Sequence, residues 1–430
     1  MMNYAEALEF LYNQLPMYHR IGGAAYKADI HNTVALCNLL QNPHNRFKTI
    51  HVAGTNGKGS TSHLLASILQ EAGFKTGLYT SPHYKDFRER IKINGKMIPE
   101  EAVIRFIEDW KEDFQKIGLS FFEMTVGLAF DYFRNENVDI AVIEVGLGGR
   151  LDSTNIIHPE ISVITNIGMD HTQFLGDTLE KIAFEKAGII KPKTPVVIGE
   201  TQDEVKRVFI EIAETKKSTI VFADKHFQVV EGGMCSAGVK NLEIFHNKDK
   251  FLEVPKFPLN GTYQLKNIVT VIQSIQILRQ QGILISDANL IKGIENVFKN
   301  TILQGRWQVL QHNPLAICDS GHNVDGIREV VENLKMMKPE KIHFVLGMVN
   351  DKDITGILKL LPKEATYYFC KADIPRGLDA AVLANQAFAI GLNGKVFSSV
   401  NEAYKNALLS CREDEVVFVG GSIFIVAEVL

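Results

Sequence analysis

The stretch His51-Val52-Ala53-Gly54-Thr55-Asn56-Gly57-Lys58-Gly59-Ser60 follows an apolar run, Phe47 to Ala53. It precedes an amphipathic run with Leu64, Leu65, Ile68 and Leu69 at helical spacing. Strand, glycine-rich turn and helix, in that order, are the context of a phosphate-binding loop. Glycines let backbone N–H groups turn inward around phosphate oxygens, where a Cβ would clash. The helix N-terminus adds free donors and the positive end of a dipole. Lys58 supplies a point charge for terminal phosphates. In the commonest form of the loop a Ser or Thr follows the Lys directly; here Gly59 intervenes and the hydroxyl sits on Ser60. The glycine, lysine and hydroxyl set in this context favours nucleotide binding over an ordinary strand-to-helix turn.

The bulk properties narrow the field. A chain of 430 residues suggests two domains. A 46% hydrophobic and 22% charged composition is that of a globular protein in water. A net charge of −4 favours neither nucleic acid nor an anionic membrane as partner. No apolar run reaches membrane-spanning length, and Met1 to Leu15 carries Glu6 and Glu9 without the basic start of a secretory signal. Cys37, Cys235, Cys318, Cys370 and Cys411 are scattered without a CxxC pair, as expected of reduced thiols in a cytoplasmic protein.

Outward from the loop, Lys75 to Thr80 reads as a second strand. It runs into Ser81-Pro82-His83-Tyr84-Lys85-Asp86-Phe87-Arg88-Glu89-Arg90-Ile91-Lys92-Ile93-Asn94-Gly95, which has neither helical nor strand period. Composition alone reads this as a solvated surface loop. Its place at a strand's carboxyl end points to a binding loop instead. A helix opens at Pro99-Glu100-Glu101, with Val103, Phe106, Ile107, Trp110, Phe114 and Ile117 as its core stripe; another follows from Glu123 to Phe133. Val138 to Val145 is apolar apart from Asp139 and Glu144 and reads as a buried parallel strand. A buried carboxylate at Glu144 needs a partner, either a metal ion such as Mg²⁺ or a cation such as Arg150. The glycines that follow do not spell a dinucleotide-binding fingerprint, because the third position is Leu151. His171 lies just past the strand Glu160 to Thr165. Lys186, in a helix from Thr178 to Gly188, reads on periodicity as solvated or ion-paired.

Residues 219–258 read as short antiparallel strands, beginning with Ile220 to Phe222, and a long helix is expected from Val269 to Gln281. After Leu303-Gln304-Gly305-Arg306-Trp307 a fresh α/β alternation begins, with strands at Ala316–Asp319, Ile342–Met348, Thr366–Phe369, Val396–Ser398 and Val416–Val419. Asp319-Ser320-Gly321-His322-Asn323 and Gly420-Gly421-Ser422 sit at strand ends, where ligands bind. The fold expected is α/β: a phosphate-loop domain over 1–296 with a mostly parallel sheet and a small antiparallel insert, a hinge at 297–308, and a smaller Rossmann-like domain over 309–430.

Taken together, these stretches resemble the Mur ligase family, and closely its folylpolyglutamate synthase/dihydrofolate synthase branch. The resemblance rests on Gly54 to Ser60, Thr80-Ser81-Pro82-His83 with Phe87 to Ile91, and Glu144 to Asp152. It continues through Asp170-His171-Thr172, Glu185 to Ile189, Gly305-Arg306 and Asp319 to Asn323. It implies an ATP-dependent ligase that joins L-glutamate to a folate or dihydropteroate carboxylate through an acyl phosphate. Gly54, Thr55, Asn56, Gly57, Lys58, Gly59 and Ser60, with Arg306 and Asp319, are implied to hold ATP. Ser81 and Glu144 are implied to hold one Mg²⁺, and Glu144, His171 and Lys186 to surround a second, with Lys186 carbamylated; Lys58, Glu144, His171 and Lys186 would be the catalytic set. Pro82, His83, Phe87, Arg88 and Arg90 belong to the loop beside the folate site, and His322 to the region near the incoming amino acid; Ser422, at its strand end, is a further substrate-binding candidate. The family's Asp-Gly-Ala-His-Asn-Pro motif is altered at Ser320, Gly321 and Val324, so its loop geometry is expected to differ.

Leu15 to Tyr26 is similar to the bifunctional bacterial enzymes. The 53 residues before Gly54 are too few for the uridine-nucleotide unit of a peptidoglycan ligase. A Mur-type ligase on another carboxylate and a phosphate-loop regulatory NTPase are the rival readings. The expectation is a monomer acting on small molecules, with no nucleic-acid or membrane partner.

Overall fold

The computed structural model describes residues 2–13, 29–234 and 240–430. The Leu15–Tyr26 segment and Cys235 lie outside the described residues. The first sheet grows around Lys48–Ala53 (β1), whose β-branched Thr49, Ile50 and Val52 suit a strand buried on both faces. Its other members are Thr76–Tyr79 (β2), Ile91–Ile93 (β3), Lys96–Met97 (β4), Ile140–Glu144 (β5), Ile161–Ile164 (β6), Val196–Ile198 (β7) and Ile220–Phe222 (β8). Their order is β4-β3-β2-β5-β1-β6-β7-β8. All pairings from β2 to β8 are parallel, and β3 and β4 extend one edge antiparallel.

Helices Lys58–Glu71 and Tyr263–Gln280 cover one face over a core that includes Ile50, Val142, Leu65 and Ile272. Tyr4–Asn13, His31–Leu39, Glu100–Ile117 and Phe121–Asn135 cover the other. Ser120 starts the last of these as a capping box: its hydroxyl accepts from Glu123 N, and the Glu123 carboxylate accepts from Ser120 N.

Ile220–Phe222 was expected in the antiparallel insert; it is the outer strand of the main sheet, because it runs parallel to β7 with Val197 opposite Val221. The insert consists of Phe227–Met234 (β9), Lys240–His246 (β10) and Asp249–Phe257 (β11), ordered β11-β10-β9. The helix expected from Val269 begins at Tyr263, so from within a helix Gln264 Nε2 donates to Ser60 Oγ at 3.2 Å and Asn267 packs against Gly57 of the phosphate loop. The 297–308 span begins with a further helix, Val297–Thr301, whose Val297 joins the first core; irregular chain then runs over 302–307.

The second sheet contains Gln308–His312 (β12), Leu315–Asp319 (β13), Ile342–Leu346 (β14), Thr366–Phe369 (β15), Asn393–Val396 (β16) and Val416–Gly420 (β17). Its order is β12-β13-β17-β14-β15-β16, parallel apart from β12. β12 was not foreseen, and β16 lies three residues before the expected Val396–Ser398. No helix among the described residues is long and apolar enough to cross a membrane. The carboxyl ends of both sheets open onto one cleft of about 500 Å³, the location favoured for ligands in open α/β sheets.

Candidate active site

The phosphate loop leaves β1 with Gly54 at φ +145° and Gly57 at φ +83°, conformations glycine accepts readily. A Cβ on Gly54 would stand 1.8 Å from Thr165 Oγ1, and one on Gly57 would stand 2.3 Å from Asn267 Oδ1. Lys58 folds back and donates to Gly54 O (2.9 Å) and Thr55 O (3.1 Å). Lys186 Nζ donates to the same Gly54 carbonyl at 2.9 Å. Periodicity alone reads Lys186 as solvated or ion-paired; it is buried, because the Leu179–Ala187 helix packs against the loop between β5 and β6 through Arg150 N and Glu185 O.

Two ammonium groups therefore share one backbone oxygen. Burial drives the Lys186 pKa down to about 7, with neighbouring Lys58 adding to the effect. Burial also lowers Lys58, against the pull of Glu144 and Asp170.

Glu144 is the last residue of β5, 4% exposed. Its carboxylate accepts from Ser81 N at 3.3 Å. Arg150, one candidate partner for it, pairs instead with Glu185 at 2.8 Å. Burial pushes the Glu144 pKa up to about 7, opposed by Lys58 and Arg306. His171 sits at φ +51° before the short helix Thr172–Leu175, and burial holds its imidazole neutral, with a pKa near 3.

The second domain supplies the facing wall. Arg306 donates to the Tyr84 hydroxyl (3.0 Å) and lies over the phosphate loop, 3.5 Å from where a Cβ on Gly59 would be. Asp319 ends β13 and accepts from Trp307 N (2.8 Å), Gly321 N (2.8 Å) and the Tyr263 hydroxyl, tying linker, loop and first domain together. Asn323 and Asn56 exchange amide hydrogen bonds at 3.0 and 3.2 Å across the domain boundary. Asp170 is the second bridge. Its carboxylate meets Lys352 Nζ at 2.5 Å, His322 Nε2 at 3.3 Å and Asn323 Nδ2 at 3.2 Å. Burial opposes its ionisation, but His322, His171 and Lys352 outweigh that and hold the carboxyl well below the usual range.

The cleft collects Gly54 to Ser60, Ser81, Pro82, Arg90, Glu144, His171, Lys186, Arg306, Asp319, His322 and Ser422. His83, Phe87 and Arg88 are not on its wall. His83 Nδ1 accepts from Arg90 Nε at 2.8 Å, Phe87 is packed in the core, and Arg88 pairs with Asp86 and Glu100 at the surface.

The Ser81–Gly95 loop is therefore not a solvated coil. Glu89 accepts from Tyr84 N, Lys85 N and Asp86 N, the short helix Phe87–Arg90 follows, and Phe87 and Arg90 are each 1% exposed. The signal was present as Asp86-x-x-Glu89, the spacing of a capping box. Lys352, Tyr263, Lys266 and Arg376 on the cleft wall were missed, having no local pattern to mark them.

The donor set fits an anionic nucleotide with a divalent cation. Among the described residues, Lys58 and Lys186 have backbone carbonyls as their hydrogen-bond acceptors, and Glu144 is a buried acid with one long backbone hydrogen bond. A polyphosphate and a hard cation would supply the missing charges of both signs.

Residues 52–275 match the Mur ligase middle domain and 305–423 the Mur ligase glutamate ligase domain. The folylpolyglutamate synthase of Lacticaseibacillus casei is 31% identical over 100% of this chain and 98% of its own. A probable bifunctional folylpolyglutamate synthase/dihydropteroate synthase of Haloferax volcanii is 31% identical over 99% of this chain; the chain spans 50% of that longer protein. Among solved structures, Escherichia coli FolC in complex with DHPP and ADP superposes with a TM-score of 0.86 at 28% identity, covering 100% of this chain and 97% of the other. The Yersinia pestis bifunctional folylpolyglutamate synthase/dihydrofolate synthase complexed with AMPPNP and Mn ion gives 0.84 at 28% identity, over 100% and 97%. The chain belongs to the Mur ligase family, in its folylpolyglutamate synthase/dihydrofolate synthase branch, and is an ATP-dependent glutamate ligase.

Proposed function

We propose that this cleft joins the α-amine of L-glutamate to the carboxylate of a folate or of dihydropteroate, serving as both folylpolyglutamate synthase and dihydrofolate synthase. The observation that carries the reading is the shared Gly54 carbonyl, where the buried Lys186 and the half-buried Lys58 meet on a loop shaped for phosphate, with the buried acid Glu144 facing Lys58. The acceptor carboxylate attacks the γ-phosphate of ATP, and ADP leaves. The glutamate amine then attacks the acyl carbon, and phosphate leaves. Lys58 and Arg306 offset charge on the phosphates. Ser81, Glu144, His171 and Lys186 would hold the divalent cations, at two sites. Such a cation neutralises phosphoryl charge and polarises the transferred group.

A neutral amine is what carbamylation by CO₂ requires, and the Lys186 pKa near 7 meets that condition. Carbamylation would convert an excess cation into a carboxylate-like ligand beside the phosphate loop. Arg90, Pro82, His322 and Ser422 all line the cleft, and in this reading Arg90 and Pro82 would face the acceptor and His322 the incoming amino acid, with Ser422 a further substrate contact. An acyl phosphate hydrolyses unless water is kept out, a task suited to the domain boundary held by Asp170 and Asn56. The division into 1–296, a linker and 309–430, a monomeric state in the cytoplasm, and substrates limited to small molecules complete the reading.

The test is phosphate release with product mass analysis in four mixtures: enzyme and ATP alone, with glutamate, with glutamate and dihydropteroate, and with glutamate and tetrahydrofolate. Release coupled to a gain of one glutamate on each acceptor is expected. Release indifferent to acceptor and glutamate would make the chain a different NTPase.

A further inference from the structure

We propose a second metal site, outside the cleft, in which His343 Nε2, Cys411 Sγ and a Glu415 carboxylate oxygen bind Zn²⁺ or a similar borderline-soft divalent transition metal. The three donor atoms all lie within 4.8 Å of one another. They come from three separate places in the chain. His343 is the second residue of β14, Cys411 ends the helix Val400–Ser410, and Glu415 precedes β17. These are the amino ends of the second sheet's strands, opposite the edge that lines the cleft, so the ligation reaction does not account for the cluster.

The chemistry of the set is specific. Nitrogen, sulfur and carboxylate oxygen together suit zinc rather than Mg²⁺ or Ca²⁺, which take oxygen ligands. A neutral imidazole, a thiolate and a carboxylate sum to two negative charges and balance one divalent ion. That balance matters where His343 is 2% and Glu415 8% exposed. His343 already touches Glu415 Oε2 at 2.9 Å through Nε2, and the Tyr368 hydroxyl at 2.9 Å through Nδ1. With the proton moved to Nδ1, Tyr368 accepts it and Nε2 is left as a lone pair, the outer hydrogen bond that metal-bound histidines make.

Cys411 is the partly exposed member, which gives its side chain room to turn and leaves a fourth position for water. Burial, then the Glu415 and Asp414 charges, push its thiol up to about 11; the same charges draw in a cation. Binding converts the Cys411 thiol to thiolate and releases one proton to solvent, with no change of oxidation state. The ion would fasten the end of one helix to two central strands.

The test uses the full chain, stripped of metal with a chelator and then titrated with Co²⁺ in the presence of Mg²⁺. Expected are a thiolate-to-cobalt charge-transfer band saturating at one ion per chain, its bleaching by Zn²⁺, and its loss in Cys411→Ser. Cys411→Ser should retain wild-type Mg²⁺-dependent ligation, and Glu415→Gln should weaken cobalt binding at least tenfold. A readout that needs no variant is alkylation of Cys411, followed by peptide mass: Zn²⁺ should slow it at least tenfold. No charge-transfer band in the folded wild type, a band that survives in Cys411→Ser, or alkylation indifferent to Zn²⁺ would each overturn the site.

Discussion

The two walls of the cleft satisfy their polar groups in opposite ways. On the first domain's wall, Lys58 and Lys186 crowd one carbonyl, and Glu144 accepts a single long backbone hydrogen bond among the described residues. On the second domain's wall, Asp319 accepts from Trp307, Gly321 and Tyr263, and the Asn323 amide uses both of its atoms on Asn56, Asp170 and Gly326. The first wall holds unmet charge that a ligand can meet. The second wall is already satisfied and works by holding the two domains in register. Residues on the first wall should therefore govern chemistry, and those on the second should govern closure and affinity.

The largest effect is expected on the first wall. Lys58→Ala and Glu144→Ala should each lower kcat/KM about a thousandfold or more, the scale of a lost charge-stabilising group, with an unchanged circular dichroism spectrum. Near-normal turnover in folded Glu144→Ala would remove its assignment to a cation. Smaller losses should follow at the bridge. Asp170→Asn and Lys352→Met should lower kcat/KM about tenfold to a hundredfold, or about 1.4 to 2.8 kcal/mol of transition-state stabilisation, and should raise uncoupled ATP hydrolysis as water enters. Steady-state kinetics with paired phosphate and product assays would separate this from a uniform loss.

The Ser81–Gly95 loop offers an internal contrast. Arg90 is 1% exposed and lines the cleft, and its two terminal nitrogens have no hydrogen-bond partner among the described residues. Arg90→Met should raise the acceptor KM about tenfold. Arg88, paired with Asp86 and Glu100 at the surface, should tolerate Arg88→Ala with less than about 1 kcal/mol of stability lost and KM unchanged.

A separate readout of the first wall is stability against pH. Glu144 keeps its proton up to about 7 in the fold but releases it near 4.5 when unfolded, so its own contribution to the stability of the ligand-free chain falls as pH rises between those values, against the opposite contribution of buried histidines such as His171. Lys186 loses its proton near 7 in the fold and near 10.5 when unfolded, so stability should recover as pH rises above 7. Urea denaturation of wild type and Glu144→Gln from pH 5 to 9 isolates the Glu144 contribution: the stability of wild type relative to the variant should fall as pH rises towards 7 and then level off.

How much of this was legible in the sequence follows the same division. The phosphate loop, the strand ending in Glu144 and the second α/β unit could be read from local spacing, because period, glycine placement and strand ends are short-range properties. For Lys186 the family resemblance pointed to the site where periodicity did not, because periodicity reports which side of a helix faces its neighbours, not that its far end reaches Gly54 across 132 positions. Lys352 was missed for the same reason: its partner Asp170 is 182 positions away and in the other domain. Ile220–Phe222 went to the wrong sheet because a short β-branched run carries no signal of which edge it joins. The Ser81–Gly95 loop was the avoidable error, since its capping-box spacing was visible.

The central claim is that the two walls meet to activate a carboxylate and then deliver an amine to it. The most direct measurement is oxygen transfer, using dihydropteroate labelled with ¹⁸O in its carboxylate, ATP and glutamate, with mass analysis of the phosphate released. Passage through an acyl phosphate predicts one labelled oxygen in each phosphate and one retained in the amide product. Unlabelled phosphate alongside normal product formation would contradict it.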